Sequence, residues 1–255
     1  MIDIAKYAEV VDEAARTARA IPQFTEDAAL SVTDAYEIQA RSIDRRIGRG
    51  ERLVGVKMGL TSRAKMAQVN VHEVIWGRLT SGMRLEEGGA LSRARYVHPR
   101  VEPEIAYLLK APLSGEVSAA EALRAVEAVA PAMEIIDSRY RDFKFALPDV
   151  VADNSSSSGF VVGPWTRPDH DCSNLGIVME INGRVVEIGS SAAILGNPVR
   201  SLVAAARLAG PALGGLQPDW IVLAGGATAA RHLAVGQHVR TTIQDIGSVS
   251  IRVVE

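Results

Sequence analysis

Apolar residues recur at helical spacing over residues 4–20, where Ala8, Val11, Ala14, Ala15 and Ala18 share one face, and again over about 33–47 through Ala35, Ile38, Ala40 and Ile43. The stretch around Pro22 separates these two helices. After Gly50 the texture changes to short apolar runs broken by glycine, which predicts strands at 53–60, 101–109, 132–136, 159–162, 175–186, 220–224 and 249–254. Helical patterns at about 62–69, 118–128 and 198–208 lie between them. Strands outnumber crossover helices late in the chain, which disfavours a regularly alternating parallel sheet. The pattern predicts an α+β molecule with a mixed β core and peripheral helices.

Composition narrows the class. The 255 residues are 47% apolar and 23% charged, enough for a large core, and with only 5% aromatics that core must be aliphatic. A net charge of -2 gives no general attraction to a phosphate backbone, so no nucleic-acid partner is expected. No apolar run approaches the roughly 20 residues of a membrane span. The first twenty residues are charged and amphipathic rather than signal-like, and the single Cys172 forms no internal disulfide, so a cytoplasmic protein is expected. Arg41, Arg45, Arg46, Arg49 and Arg52 cluster at the end of the second helix, and are read as a solvated face or a subunit contact rather than a substrate trap.

Candidate chemistry gathers in three places. In RVEPEIA (100–106), Glu102 and Glu104 stand two apart in a strand-like run and so project from one face. An apolar strand gains nothing from adjacent like charges unless a cation compensates them. Glu134 lies in the next apolar run and needs a partner too. Three carboxylates without clustered cysteine or histidine suit a hard cation, magnesium or manganese; the alternative is that they face solvent or pair with Arg100 and Arg139. Lys57, embedded in GVKMGLTS (55–62), either snorkels to the surface or stands over a substrate anion. VADNSSSSG (151–159), preceded by Arg139, Arg141 and Lys144, is either a ligand-approaching loop or a capped surface turn. There is no nucleophile elbow, Walker loop or dinucleotide fingerprint; Gly225-Gly226 lacks the required spacing.

Taken in order, GVKMGLTS, RVEPEIA, PAMEIIDSR (131–139) and VADNSSSSG resemble the hydratase/decarboxylase branch of the fumarylacetoacetate-hydrolase-like superfamily, from about residue 53 to the C-terminus. The resemblance implies a mixed β-roll catalytic domain (53–255) with an N-terminal helical segment (1–52) packed on it. It implies that Glu102, Glu104 and Glu134 hold magnesium or manganese and that Lys57 is catalytic, with Ser156, Arg139 and Ile75 as candidate substrate contacts. Hydratases similar to this chain read Val-Asp-x-Pro-Asp-Phe-Gly where it has VHEVIWG (71–77), so His72 and Ile75 replace their two acids, although Glu73 could substitute. YRDFKF (140–145) and LAGGAT (223–228) look like the decarboxylase versions. The implied activity is decarboxylation of a small dicarboxylate 2-oxo acid, 2-oxo-3-hexenedioate, in meta-cleavage degradation of aromatic compounds. The implied partner is the 2-oxopent-4-enoate hydratase of the next step. The alternatives are a 2-oxopent-4-enoate or 2-oxohept-4-enedioate hydratase and, as a minor reading, a non-catalytic hydratase-stabilising partner.

Overall fold

The computed structural model describes residues 2–62 and 73–255. The expected N-terminal helices are α1 (Ile4–Thr17) and α2 (Val32–Gly48). Asp3 accepts from the Lys6 N–H to cap α1, and a reciprocal Ser31–Asp34 capping box opens α2. Two of the arginines at the end of α2 reach α1. Arg49 donates to both Asp12 oxygens at 2.7 and 2.6 Å, and Arg45 donates to Asp12 at 3.0 Å. Burial pushes the Asp12 carboxyl up, but the Arg49 and Arg45 hydrogen bonds outweigh it and hold it below the usual range. Those two arginines remain exposed, as a solvated face requires, and also bridge the helices through the buried Asp12.

Two sheets follow. The larger runs β2 (Ile75–Thr80), β1 (Leu53–Gly59), β10 (Ile221–Leu223), β5 (Arg100–Leu109), β6 (Val126–Ile136), β7 (Ser157–Val162) and β3 (Arg84–Leu85), with β11 (Arg231–His232) paired to the start of β5. The smaller runs β4 (Ala90–Ser92), β13 (Gly247–Val254), β12 (His238–Ile243), β8 (Gly176–Ile181) and β9 (Arg184–Ser190). Both are mixed: β1 runs parallel to β10, β3 to β7 and β13 to β4, and the other pairings are antiparallel. Three further α-helices lie among the described residues, α3 (Ala119–Arg124), α4 (Leu147–Ala152) and α5 (Val199–Leu208), besides short 3-10 turns.

The departures from expectation have local causes. The run 175–186 is a hairpin, β8 to β9, turned by Asn182 and Gly183, both at positive φ (52° and 73°) as a two-residue hairpin turn demands. The helix expected over 118–128 stops at Arg124, and β6 begins at Val126 because Ala128, Ala130 and Ala132 pair in register with β5. Pairing overrides the helical preference of alanine there. The helix expected over 62–69, and His72, lie outside the described residues.

The alternation of β5 and β6 divides the molecule. Val101, Met133 and Ile135 join Val161, Met179, Val239, Val249 and Ile251 in the core between the two sheets. Their neighbours Glu102, Glu104 and Glu134 must then point from the opposite face. Residues of α1, α2 and α4 pack with Ile75 and Tyr140 in a separate apolar cluster, which joins the helical segment to the β core.

Candidate metal centre and active site

The carboxylates meet because β5 and β6 are antiparallel and in register, with Glu102 opposite Glu134 and Glu104 opposite Ala132. Each glutamate offers an oxygen, and these oxygens lie within 4.8 Å of one another. Glu104 and Glu134 are fully buried and Glu102 is 7% exposed. Burial first, and then the neighbouring Glu134, push the Glu104 carboxyl well above the usual range; burial also raises Glu134, with Lys57 opposing it. Glu104 Oε1 and Glu134 Oε1 meet no hydrogen-bond donor among the described residues. Three buried oxygen donors, two with unmatched lone pairs, fit a divalent hard cation.

Pro103, between two of these glutamates, fits its place in the sheet. Its carbonyl accepts from Ala227 N–H at 3.0 Å, beyond the end of β10, so its missing N–H also falls on that side and interrupts no ladder.

Lys57 comes from β1 and is 3% exposed, so it does not snorkel to the surface. Its ammonium stands 3.0 Å from Glu134 Oε2 as an ion pair, and an ammonium with three N–H groups has donors to spare. Gly59 opens the space beside it: a Cβ there would lie 3.0 Å from Ile75 Cγ1 and 3.5 Å from Lys57 Nζ. Lys57 and Ile75 therefore line the same small space, one cationic and one apolar. Glu73 is at the surface, donated to by Arg207 at 3.1 Å.

The sequence reading undervalued Gly225-Gly226. Gly225 N–H donates to Glu104 Oε2 at 2.7 Å, and a Cβ on Gly226 would fall 2.3 Å from Glu102 Oε2. Gly225, at φ 110°, is also crowded by Thr61. The pair is a seat for two carboxylates, and its signal was its position directly after an apolar strand run.

The serine loop is under backbone strain. Asn154, Ser155 and Ser156 have φ of 50°, 53° and 60°, three consecutive left-handed residues without a glycine. Contacts to β2 hold them: Asn154 accepts from Arg78 N–H at 2.8 Å and donates to Arg78 O at 2.9 Å, and Ser155 donates to Trp76 O at 2.7 Å. The Ser156 hydroxyl is buried without a partner among the described residues. Arg139 donates to Asp153 and to Ser158, and reaches Asp153 O at 2.7 Å. It lines a polar cavity of about 180 Å³ with Arg46, Arg49, Arg95 and Asp137, which none of the three glutamates lines. Arg139 thus braces the serine loop, its donors taken up by that task. Burial pushes Asp153 up to about 6 even with Arg139 beside it.

Residues 56–254 match the family described as fumarylacetoacetate (FAA) hydrolase C-terminal. A 4-oxalocrotonate decarboxylase from a Pseudomonas species is 61% identical, covering 97% of this chain and 96% of that one. A 2-hydroxyhexa-2,4-dienoate hydratase from Comamonas testosteroni is 34% identical, covering 95% and 94%. The solved 4-oxalocrotonate decarboxylase of Pseudomonas putida G7, complexed with magnesium and adipate, superposes with a TM-score of 0.95 at 38% identity, covering 98% and 97%.

Proposed function

The chain belongs to the fumarylacetoacetate hydrolase family, and from that premise we propose that it decarboxylates 2-oxo-3-hexenedioate (4-oxalocrotonate) to 2-hydroxypenta-2,4-dienoate and carbon dioxide, with magnesium or manganese held by Glu102, Glu104 and Glu134. It carries a mixed β-roll with an N-terminal helical segment, and we take 1–52 and 53–255 as the corresponding units. The observation that carries the reading is the buried three-carboxylate cluster beside Lys57, in a chain so similar along its whole length to a decarboxylase.

The C6 carboxylate of this substrate is vinylogously β to the C2 ketone. When the C5–C6 bond breaks, its electron pair runs through C4 and C3 to the C2 oxygen. The divalent cation, when bound, supplies Lewis acidity toward the 2-oxo acid end. Lys57 supplies an ammonium beside that end, holding a hydrogen bond on the oxygen that gains charge and supplying the proton for the dienol. The buried Ser156 hydroxyl, without a partner among the described residues, is a donor for the substrate carboxylate. Ile75 keeps an apolar wall beside Lys57, where a hydratase would want an acid to handle water. Glu73, engaged with Arg207 at the surface, does not supply that acid.

The substrate is a small diacid. We further propose a complex with the hydratase that consumes the unstable dienol, and a cytoplasmic setting, in keeping with a buried free Cys172. Among the described residues no helix is long and apolar enough to cross a membrane.

Purified protein with magnesium and 2-oxo-3-hexenedioate should release one carbon dioxide per substrate and lose this activity in EDTA. Turnover surviving thorough chelation would sink the metal role, and formation of 4-hydroxy-2-oxopentanoate from supplied 2-hydroxypenta-2,4-dienoate, without decarboxylation, would make the chain a hydratase.

A further inference from the structure

A diacid substrate poses a problem that the three glutamates and Lys57 leave open. Its 2-oxo acid end belongs at the cation, and its second carboxylate must lie near a surface already rich in negative charge. Lys57, paired with Glu134, is committed to the 2-oxo acid end, and the donors of Arg139 go to Asp153 and Ser158. Among the described residues, one other cation shares the carboxylate face. Arg100 opens β5 two positions before Glu102, so Arg100, Glu102 and Glu104 project from the same side of the strand. Two strand residues advance about 6.6 Å, comparable to the length of a six-carbon chain.

The surroundings of Arg100 are built for a guanidinium with work left to do. Its Nε is buried and has no hydrogen-bond partner among the described residues, and no described acid forms an ion pair with it. Its guanidinium carbon lies 3.8 Å from the Phe143 ring centroid. The flat face is thereby covered while the in-plane donors at the rim stay available, the arrangement that suits a planar carboxylate. Phe143 is held there by a costly backbone: Asp142 and Phe143 have φ of 59° and 58°, two consecutive left-handed residues, neither of them glycine. His98 meets the edge of the same ring, and His232 is paired in register opposite Arg100 across β11. An orphaned buried donor and a strained aromatic platform are two independent signs of a ligand-facing group.

We propose that Arg100, stacked on Phe143, is a specificity-determining residue that receives the distal carboxylate of the substrate. This rests on the decarboxylase reading of the site. Carbon dioxide leaves as a neutral molecule, so this contact is stronger with the bound diacid than with the departing group, and its loss falls on KM more than on kcat.

The test uses two unreactive probes with the magnesium-loaded protein, 2-oxohexanedioate and 2-oxohexanoate, which differ only in the distal carboxylate and lack the alkene needed to lose it. Binding is read by calorimetry. The unsubstituted protein should prefer the diacid. Arg100→Gln should reduce that preference at least tenfold while the monoacid binds within twofold of its original affinity. Arg100→Lys should recover part of the preference, and Phe143→Leu should lose part of it. A preference that survives in Arg100→Gln, or an equal loss for both probes, overturns the assignment; should Arg100→Gln fail to fold, an undiminished preference in both Arg100→Lys and Phe143→Leu does so. Failure of the unsubstituted protein to release carbon dioxide from 2-oxo-3-hexenedioate overturns instead the reading on which the assignment rests.

Discussion

Glu104 is fully buried, lacks a donor at Oε1 among the described residues, and is pushed up by burial, which together mean that its charge is tolerated only when a cation stands beside it. Glu104→Gln should therefore act in two opposite directions. Magnesium affinity should fall beyond the 10- to 100-fold loss typical of outer-shell changes, about 100-fold or more. The metal-free variant should melt above the metal-free original, because a buried carboxyl has become a neutral amide. Calorimetric titration and thermal melting check both, and a variant that binds magnesium normally would remove Glu104 from the site. Gly226→Ala probes the seat rather than the ligand. The new Cβ would lie 2.3 Å from Glu102 Oε2, and that flexible carboxylate can swing aside, so the expected outcome is a magnesium affinity weakened by about tenfold or more with the metal-free melting temperature nearly kept. Unchanged affinity would show that Glu102 ligation does not depend on this close approach.

Among the elements, the strained serine loop should be the most sensitive to loss of a brace. Asn154→Ala removes two hydrogen bonds to the Arg78 backbone and should cost about 1–3 kcal/mol of stability. The loss of activity should exceed what this destabilisation explains, because Ser156 follows directly in the same left-handed run. Denaturant melts beside turnover measured well below the melting point would separate the two, and full activity would show that the loop holds Ser156 by other means. Much of the element order was legible. The period-2 run carrying Glu102 and Glu104 and the helical spacing of α1 and α2 are local signals that survive folding; the asparagine–glycine step between β8 and β9 is a local signal too, but it was passed over inside a single apolar run. The registration of Glu134 opposite Glu102 was not legible, because pairing of two strands about thirty residues apart is set by tertiary packing. Nor were the left-handed residues of the serine loop, since polar residues in a row read equally well as a surface turn. Arg139 was read as a substrate contact from its sequence neighbourhood alone; its ion pair with Asp153 becomes visible only once the loop is folded back.

At the scale of the whole molecule, the carboxylate cluster makes stability depend jointly on metal and pH. Burial, aided by mutual repulsion, raises Glu104, and burial raises Glu134 against the pull of Lys57. The folded metal-free chain therefore binds more protons than the unfolded chain, in which these groups titrate in the ordinary carboxylate range. Stability must then fall as pH rises from that range through the raised folded values, and level off above them. Magnesium binds the deprotonated folded form and competes with those protons, so its affinity should rise over the same interval. At a free magnesium concentration of 100 times Kd, the gain is about 2.7 kcal/mol, which for a chain of this size corresponds to roughly 5–10 °C in Tm. Melting curves recorded from the acid side to neutrality should thus diverge: without metal the Tm declines as the glutamates lose their protons, and with saturating magnesium the decline is reduced or reversed. Parallel curves would mean that the cluster neither holds protons in the metal-free state nor takes the cation, and would undo the coupling between this fold and its chemistry.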